Sequence, residues 1–292
     1  MADARGRAMS LRNPKLLLAI PAVALIFVFM ILPITNMIEM SFRTPGHSEP
    51  FGDDYTTMHY DRILSDGYYW GVLGRSLLTA GAVTLLCLIV SYPIAWHMSK
   101  AKGLKAVFLY ACIASPLMTG VLVRNFGWMI AAALNGPLNE TLLALGMIER
   151  PLRLLFTQGL VILALVHVFV PFMVLPINNA LRNISPTLIE ASSSMGATRR
   201  EVFRDIILPL SFPGIYPGMI LVYVLAVAAY VTPALLGGQM VSYMPTLIIG
   251  ELTGTFQWPF GSALAIVLSV STILVVGLFT ALTSRLMERS KA

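Results

Sequence analysis

Six predominantly apolar stretches of about 20 residues or more run through this chain, and a helix of that length crosses the hydrocarbon core of a bilayer. Backbone polar groups in lipid must be satisfied internally, so such stretches fold as helices or close into a barrel. Runs this long and uninterrupted select helices. The charged fraction, 12% against about 25% in soluble domains, and the mean hydropathy of +0.78 agree. The sequence therefore predicts an all-α polytopic membrane protein with six transmembrane helices. The runs are Leu16–Ile38, Val72–Met98, Ala106–Leu134, Gln158–Leu181, Gly214–Leu236 and Gly261–Thr283. The third is interrupted by Ser115-Pro116 and Thr119-Gly120 and carries Arg124. Pro171 and Pro176 in the fourth each remove a helical hydrogen bond, Thr232-Pro233 and Gly237-Gly238 do similar damage where the fifth ends, and such broken helices are expected to line a cavity.

An even number of spans puts both termini on one side, and the lysine and arginine bias chooses the side. The set containing the termini holds 14 of the 20 basic residues and five acids, net +9; the opposite set holds six basic residues and nine acids, net −3. Both termini are therefore expected in the cytoplasm. The net charge of +6 reads as an orientation signal, and no nucleic-acid partner is inferred from it. The expected organisation is a cytoplasmic N-terminus 1–15, a membrane domain 16–284 and a cytoplasmic tail 285–292. Within the membrane domain, an outer segment 41–71 lies across the surface, with Tyr68, Tyr69 and Trp70 suited to the interface, and a cytoplasmic loop spans 183–211. The first run is too long for the apolar core of a cleaved signal and is read as a retained anchor. No internal repeat stands out.

Two cysteines, Cys87 and Cys112, fall in apolar runs and fit buried structural roles, being too few for a disulfide framework or a zinc cluster. His97 and His167 are single imidazoles expected to be buried and satisfied by neighbours, and His47 and His59 belong to an exposed polar surface. No metal site is expected.

The loop 183–211 spells two short helices. Ser185-Pro186 supplies a cap and a first-turn proline, and Gly196 supplies a left-handed stop. Thr198-Arg199-Arg200-Glu201 has the spacing of a capping box, and Pro209 is expected to end the second helix. Val202, Phe203, Ile206 and Ile207 recur at helical spacing, so this helix packs on the bundle while the first protrudes as a rod of about 15 Å. On spacing alone, an interfacial helix-turn-helix that merely covers the bundle is favoured over a docking element.

The stretch Glu190-Ala191-Ser192, then Gly196, then Ile206-Ile207-Leu208-Pro209 resembles the EAA loop of the membrane subunits of bacterial ABC importers, with Ser192 where Ala is usual. The resemblance implies a type I ABC importer permease (MetI-like) fold in the bacterial inner membrane. It also implies that the loop is a coupling helix held in a cleft of an ATPase subunit, with Glu190 as its anchor. Leu122–Trp128, Pro171–Pro176 and Val231–Gly238 are similar to permeases of the spermidine/putrescine group, which includes opine and phosphonate importers. Many of those relatives carry an acid shortly before the Val-Thr-Pro segment, where this chain has Ala228-Ala229-Tyr230. A polycation substrate therefore does not follow.

No G-x-x-x-x-G-K-[ST] phosphate loop is present, so no cofactor is expected on this chain. The resemblance places ATP and Mg on two partner ATPase subunits. It also implies a second permease subunit, usually a different chain, a periplasmic solute-binding protein and surrounding lipid. Arg124 lines the pathway or snorkels to the interface beside Trp128, since a charge in lipid is costly. Tyr230, Thr232 and Gln239 are candidate gate or solute contacts, against plain bundle packing; Met173, Asn178 and Asn179 are weaker ones. The function that emerges is the pathway subunit of an ATP-driven importer of a small polar solute. The alternative is an ion-gradient-driven secondary transporter, which would normally place paired acids or histidines in its spans, and these are nearly absent. A membrane-embedded hydrolase ranks last.

Overall fold

The computed structural model describes residues 14–46 and 51–289; the first 13 residues of the expected N-terminal segment, His47 and the last three residues of the expected tail lie outside them. Among the described residues the secondary structure is helical apart from one isolated bridge, Arg43 with Tyr55. Twelve α-helices follow in order: α1 Pro14–Ser41, α2 Met58–Ser65, α3 Gly67–Lys100, α4 Gly103–Met118, α5 Val121–Ala131, α6 Pro137–Ala144, α7 Gln158–Arg182, α8 Pro186–Ser194, α9 Arg199–Val202, α10 Leu208–Val227, α11 Met244–Ile249 and α12 Trp258–Arg289. Five helical segments are long and apolar enough to cross a bilayer, and α4 with α5, bent by 93°, makes a sixth if the pair is one span.

The core is the triplet α3, α7 and α10. Gln158 Nε2 donates to Thr79 Oγ1, Cys87 Sγ to Val166 O and Ser91 Oγ to Val170 O. Each pair is 79 residues apart, so α3 and α7 run parallel in constant register. The third helix, α10, runs antiparallel to both, with Tyr92 OH 3.2 Å from Ser211 Oγ. Its close approach to α7 depends on glycine. A Cβ at Gly214 would collide with Pro176 O and lie 2.7 Å from Ala180 Cβ, and one at Gly218 would meet Met173 Sδ at 3.0 Å. Small residues four apart are the usual means by which helices approach closely in lipid. At the edge of this core α1 packs along α12 and leaves Leu25, Phe27 and Phe29 exposed, as an anchor in apolar solvent can.

Several boundaries differ from the sequence expectation. Five residues of the expected outer segment, 67–71, form the first turns of α3, because Asp66 caps that helix by accepting from Tyr68 N at 2.9 Å. Helix α7 continues through Pro171 and Pro176 without interruption. The third run breaks at Thr119-Gly120, while Ser115-Pro116 stays helical. The fifth helix ends at Val227, short of Leu236, and α12 runs to Arg289, into the expected tail. Cys112 is exposed, while Cys87 is buried. His97 and His167 are exposed within this chain, whereas His59 is buried beneath α12, with Nε2 3.0 Å from Arg43 O. Composition cannot place these imidazoles, because their burial depends on which helix crosses them.

Candidate functional site

The chain carries two candidate regions, at opposite ends of the α3–α7–α10 triplet. At the loop end, α8 starts at Pro186, but Ser185 does not cap its backbone; the Ser185 hydroxyl pairs with the Thr187 hydroxyl at 2.6 Å. The stop is stronger. Gly196 sits at φ +91°, Ala197 N donates to Ser192 O and Gly196 N to Ser193 O, both at 3.1 Å, which together close a Schellman cap. Thr198 and Glu201 complete the capping box at once: Glu201 N donates to Thr198 Oγ1, and Thr198 N to Glu201 Oε2 at 2.7 Å.

The hydroxyls of Ser192, Ser193 and Ser194 all turn back onto carbonyls of α8. Glu190 is thereby left as the single charged group of α8, exposed and with no partner for its carboxylate among the described residues. Beside it, Leu188, Ala191 and Met195 are exposed at helical spacing, Met195 at 89%. Ile189 and Ala197 pack inward. So α8 presents an acidic residue, Glu190, beside an apolar stripe; the sequence reading contained Glu190 and, of the stripe, Ala191.

Pro209 does not stop the second helix. Residues Phe203–Ile207 form one π-helical turn, and Leu208 N donates to Phe203 O, five residues back. Shifting the pattern by one residue relieves the crowding that a proline ring imposes on the preceding turn. The helical path therefore runs unbroken from Arg199 to Val227. Val202 and Ile207 are buried, Ile206 and Leu208 half-buried and Pro209 exposed. Phe203 meets the edges of Tyr92 and Trp96, with ring centroids 5.8 and 6.1 Å away, and so locks this junction to α3.

Two residues beyond Val227 the chain turns, and Tyr230 enters the wall of a cavity of about 480 Å³ at the distal end. Tyr68, Gly238, Thr246 and Glu251 line the same space. Glu251 is half-buried, accepts from Thr255 Oγ1 at 2.6 Å and forms no ion pair among the described residues. Gly238 is fixed by φ +56° and by the Phe156 ring, which a Cβ would meet at 2.6 Å; Phe156 N in turn donates to Leu236 O at 2.9 Å. Between the lining residues Ser242 and Thr246, Met244 N donates to Ser76 Oγ at 2.8 Å and ties this segment to α3. Glu251 and Tyr68 were not among the sequence candidates. An isolated acid between two apolar runs was the available signal.

The remaining candidates separate. Thr232 is buried and does not line the cavity, and the side chain of Gln239 lies outside the described residues. Arg124 and Trp128 do not line it either. Arg124 Nη1 donates to Pro116 O at 2.9 Å and Thr119 O at 3.3 Å, satisfying carbonyls freed where α4 ends. Trp128 lies edge-on to His167 at 5.8 Å. Met173 is buried, and buried Asn178 donates to Tyr110 OH at 2.6 Å, joining α7 to α4.

Residues 15–288 match the family described as binding-protein-dependent transport system inner membrane component. The chain is 34% identical to the spermidine/putrescine transport system permease protein PotB of Escherichia coli (strain K12), over 85% of this chain and 90% of that one. It is 29% identical to the inner membrane ABC transporter permease protein YdcU of the same organism, over 80% and 79%. Among solved structures, a subunit of a bacterial alginate ABC transporter in complex with an alginate-pentasaccharide-bound periplasmic protein superposes with a TM-score of 0.71 at 16% identity, covering 94% of each chain. The MetNI methionine ABC transporter, in an inward-facing conformation, gives 0.52 at 17% identity, over 75% of this chain and 94% of that one. The fold is thus that of ABC importer permeases, as the resemblance implied.

Proposed function

The chain belongs to the binding-protein-dependent transport system inner membrane components, and from that premise we propose that it forms part of the translocation pathway of an ATP-driven importer of small aliphatic polyamines. As a permease subunit of an ABC importer it is a multi-pass inner-membrane protein. Our reading puts the loop end in the cytoplasm, in line with the basic excess there, and the cavity end toward a periplasmic solute-binding protein. Two ATPase subunits carry ATP and Mg beneath the bundle, and a second permease chain completes the pathway.

The observation that carries this reading is the unbroken helical path from Arg199 to Val227. At 1.5 Å per residue, α10 alone spans about 30 Å. A displacement of α8 by an ATPase therefore reaches Tyr230 through one stiff element instead of a chain of loops. Glu190 is the natural anchor, with Ala191 and the neighbouring Leu188 and Met195 seated against the partner. Gly196 sets the angle between α8 and α9, while Val202 and Ile207, with the half-buried Ile206 and Leu208, hold the far side of the lever on the bundle and Pro209 stays exposed.

The cavity supports the solute class. The carboxylate missing from 228–230 is supplied instead by Glu251, alongside the phenol rings of Tyr68 and Tyr230. An ammonium group is held by a carboxylate and by aromatic faces together. In proteoliposomes containing the whole transporter with its binding protein, labelled spermidine uptake is expected to require ATP on the loop side and to ignore ion gradients. Uptake driven by a gradient without ATP rejects the importer reading, and ATP-driven uptake of anions but not amines rejects the solute class alone.

A further inference from the structure

A second polar recess lies at the loop end, away from both regions described so far. It encloses about 230 Å³ at the turn between α3 and α4, and its walls are Trp96, His97, Lys100, Ala101, Lys102 and Lys105. Its walls hold no acidic residue, and none of the three lysines is in an ion pair among the described residues. Lys100 Nζ rests 3.9 Å from the centre of the Trp96 ring, a contact that leaves its charge unneutralised. The start of α4, a helix of 16 residues, opens beside the recess with no side chain capping it, because its cap position is Lys102 itself. Its positive end adds to the field of the lysines.

We propose that this recess binds the phosphate group of an anionic phospholipid. Three unpaired ammonium groups around one cavity, next to an uncapped helix start, are matched by a phosphate oxyanion. The neighbouring surface indicates that the phosphate is a lipid's. Leu104, Val107 and Phe108, at i, i+3 and i+4 on α4, are 87%, 64% and 68% exposed and form an apolar strip leading away from the recess. A headgroup in the recess can therefore keep its acyl chains on that strip, and Trp96 is a residue type suited to the boundary between the two. A basic excess spread over the loop end for orientation alone requires neither a cavity nor an adjoining strip.

The test is native mass spectrometry of the assembled transporter titrated with phosphatidylglycerol or phosphatidylcholine of identical acyl chains. The wild type and K102R/K105R are expected to retain phosphatidylglycerol about tenfold better than phosphatidylcholine, and K102Q/K105Q to retain both alike. R150Q/R153Q, which removes the same charge at the opposite end, is expected to match the wild type. Equal retention by K102Q/K105Q and wild type overturns the site, and an equal loss in R150Q/R153Q reduces it to bulk charge. Displacement of the lipid by millimolar inorganic phosphate makes it a free-anion site and overturns the lipid assignment. Loss of ATPase subunits from K102Q/K105Q with lipid retention intact makes the recess a protein contact, which also overturns it.

Discussion

The lever at one end of the molecule and the cavity at the other are built in opposite ways. From Ser185 to Glu201 every feature that shapes α8 and α9 is local: a proline at the first turn, a glycine at φ +91° and a Thr–Glu capping pair three residues apart. The cavity draws Tyr68 from the start of α3, Tyr230 and Gly238 from the chain after α10, and Glu251 from the turn after α11. Its shape depends on contacts such as Phe156 against Gly238 and Met244 against Ser76, between residues more than 80 positions apart. The part that we propose fits a separate motor is specified within 17 residues. The part that we propose opens and closes during transport is specified by how the helices sit together.

Four substitutions break or sharpen that contrast. The largest effect is expected from Glu190→Lys, which puts a cation where we place a carboxylate in a partner cleft. ATP-driven uptake should fall roughly 100-fold or more, as charge reversal at a desolvated contact allows. Membrane insertion and the cavity should be intact, so co-purification of the ATPase is the measurement that separates uncoupling from misfolding. Next comes Gly214→Leu, which acts on the shared axis between the two ends. Overfilling the α7–α10 contact costs about 1–3 kcal/mol or more, seen as a lowered thermal midpoint and reduced yield in membranes.

Smaller and more selective is Glu251→Gln. Loss of a charge-assisted contact of about 1.5–3 kcal/mol raises the spermidine concentration for half-maximal uptake roughly tenfold. ATPase co-purification is unchanged, and a variant whose uptake matches wild type at all concentrations removes Glu251 from the pathway. Smallest is Gly196→Ala. A side chain at this left-handed position costs about 1–2 kcal/mol within the lever alone. Uptake drops by a few-fold without a shift in the half-maximal concentration, provided that the angle between α8 and α9 matters for coupling.

The same contrast explains what could be read in advance. Apolar length located the five helical segments long enough to cross a bilayer and the bent α4–α5 pair, and the break in the third run was visible in Thr119-Gly120, because those signals are intrinsic to a segment. The loop helices were legible for the same reason. Pro209 was misleading: a proline stops a regular α-helix, but the π turn before it absorbs the misfit, and that turn is fixed by Phe203 lodging between Tyr92 and Trp96 on another helix. Pro171 and Pro176 were misleading in the same direction, within a helix buried between α3 and α10. For Arg124 the sequence offered pathway or interface; its Nη1 also donates to the carbonyls at the α4–α5 elbow, contacts that exist only once the chain bends by 93°. Glu251 was one acid among nine assigned to its side, and only packing brings it to the two tyrosines.

The π turn at 203–207 has a consequence for how the subunit tolerates change. Each residue of a regular helix advances the azimuth by about 100°, and a π turn accommodates one residue beyond the regular count. Removing a single residue there would let the ribbon relax into ordinary spiral geometry while every side chain upstream swings about a quarter of a revolution relative to the membrane. Glu190 would then point toward a different azimuth, and Ile189, Val202 and Phe203 would have to repack against the bundle. Insertions and deletions at this spot therefore act as a phase dial for the surface that we place against the motor.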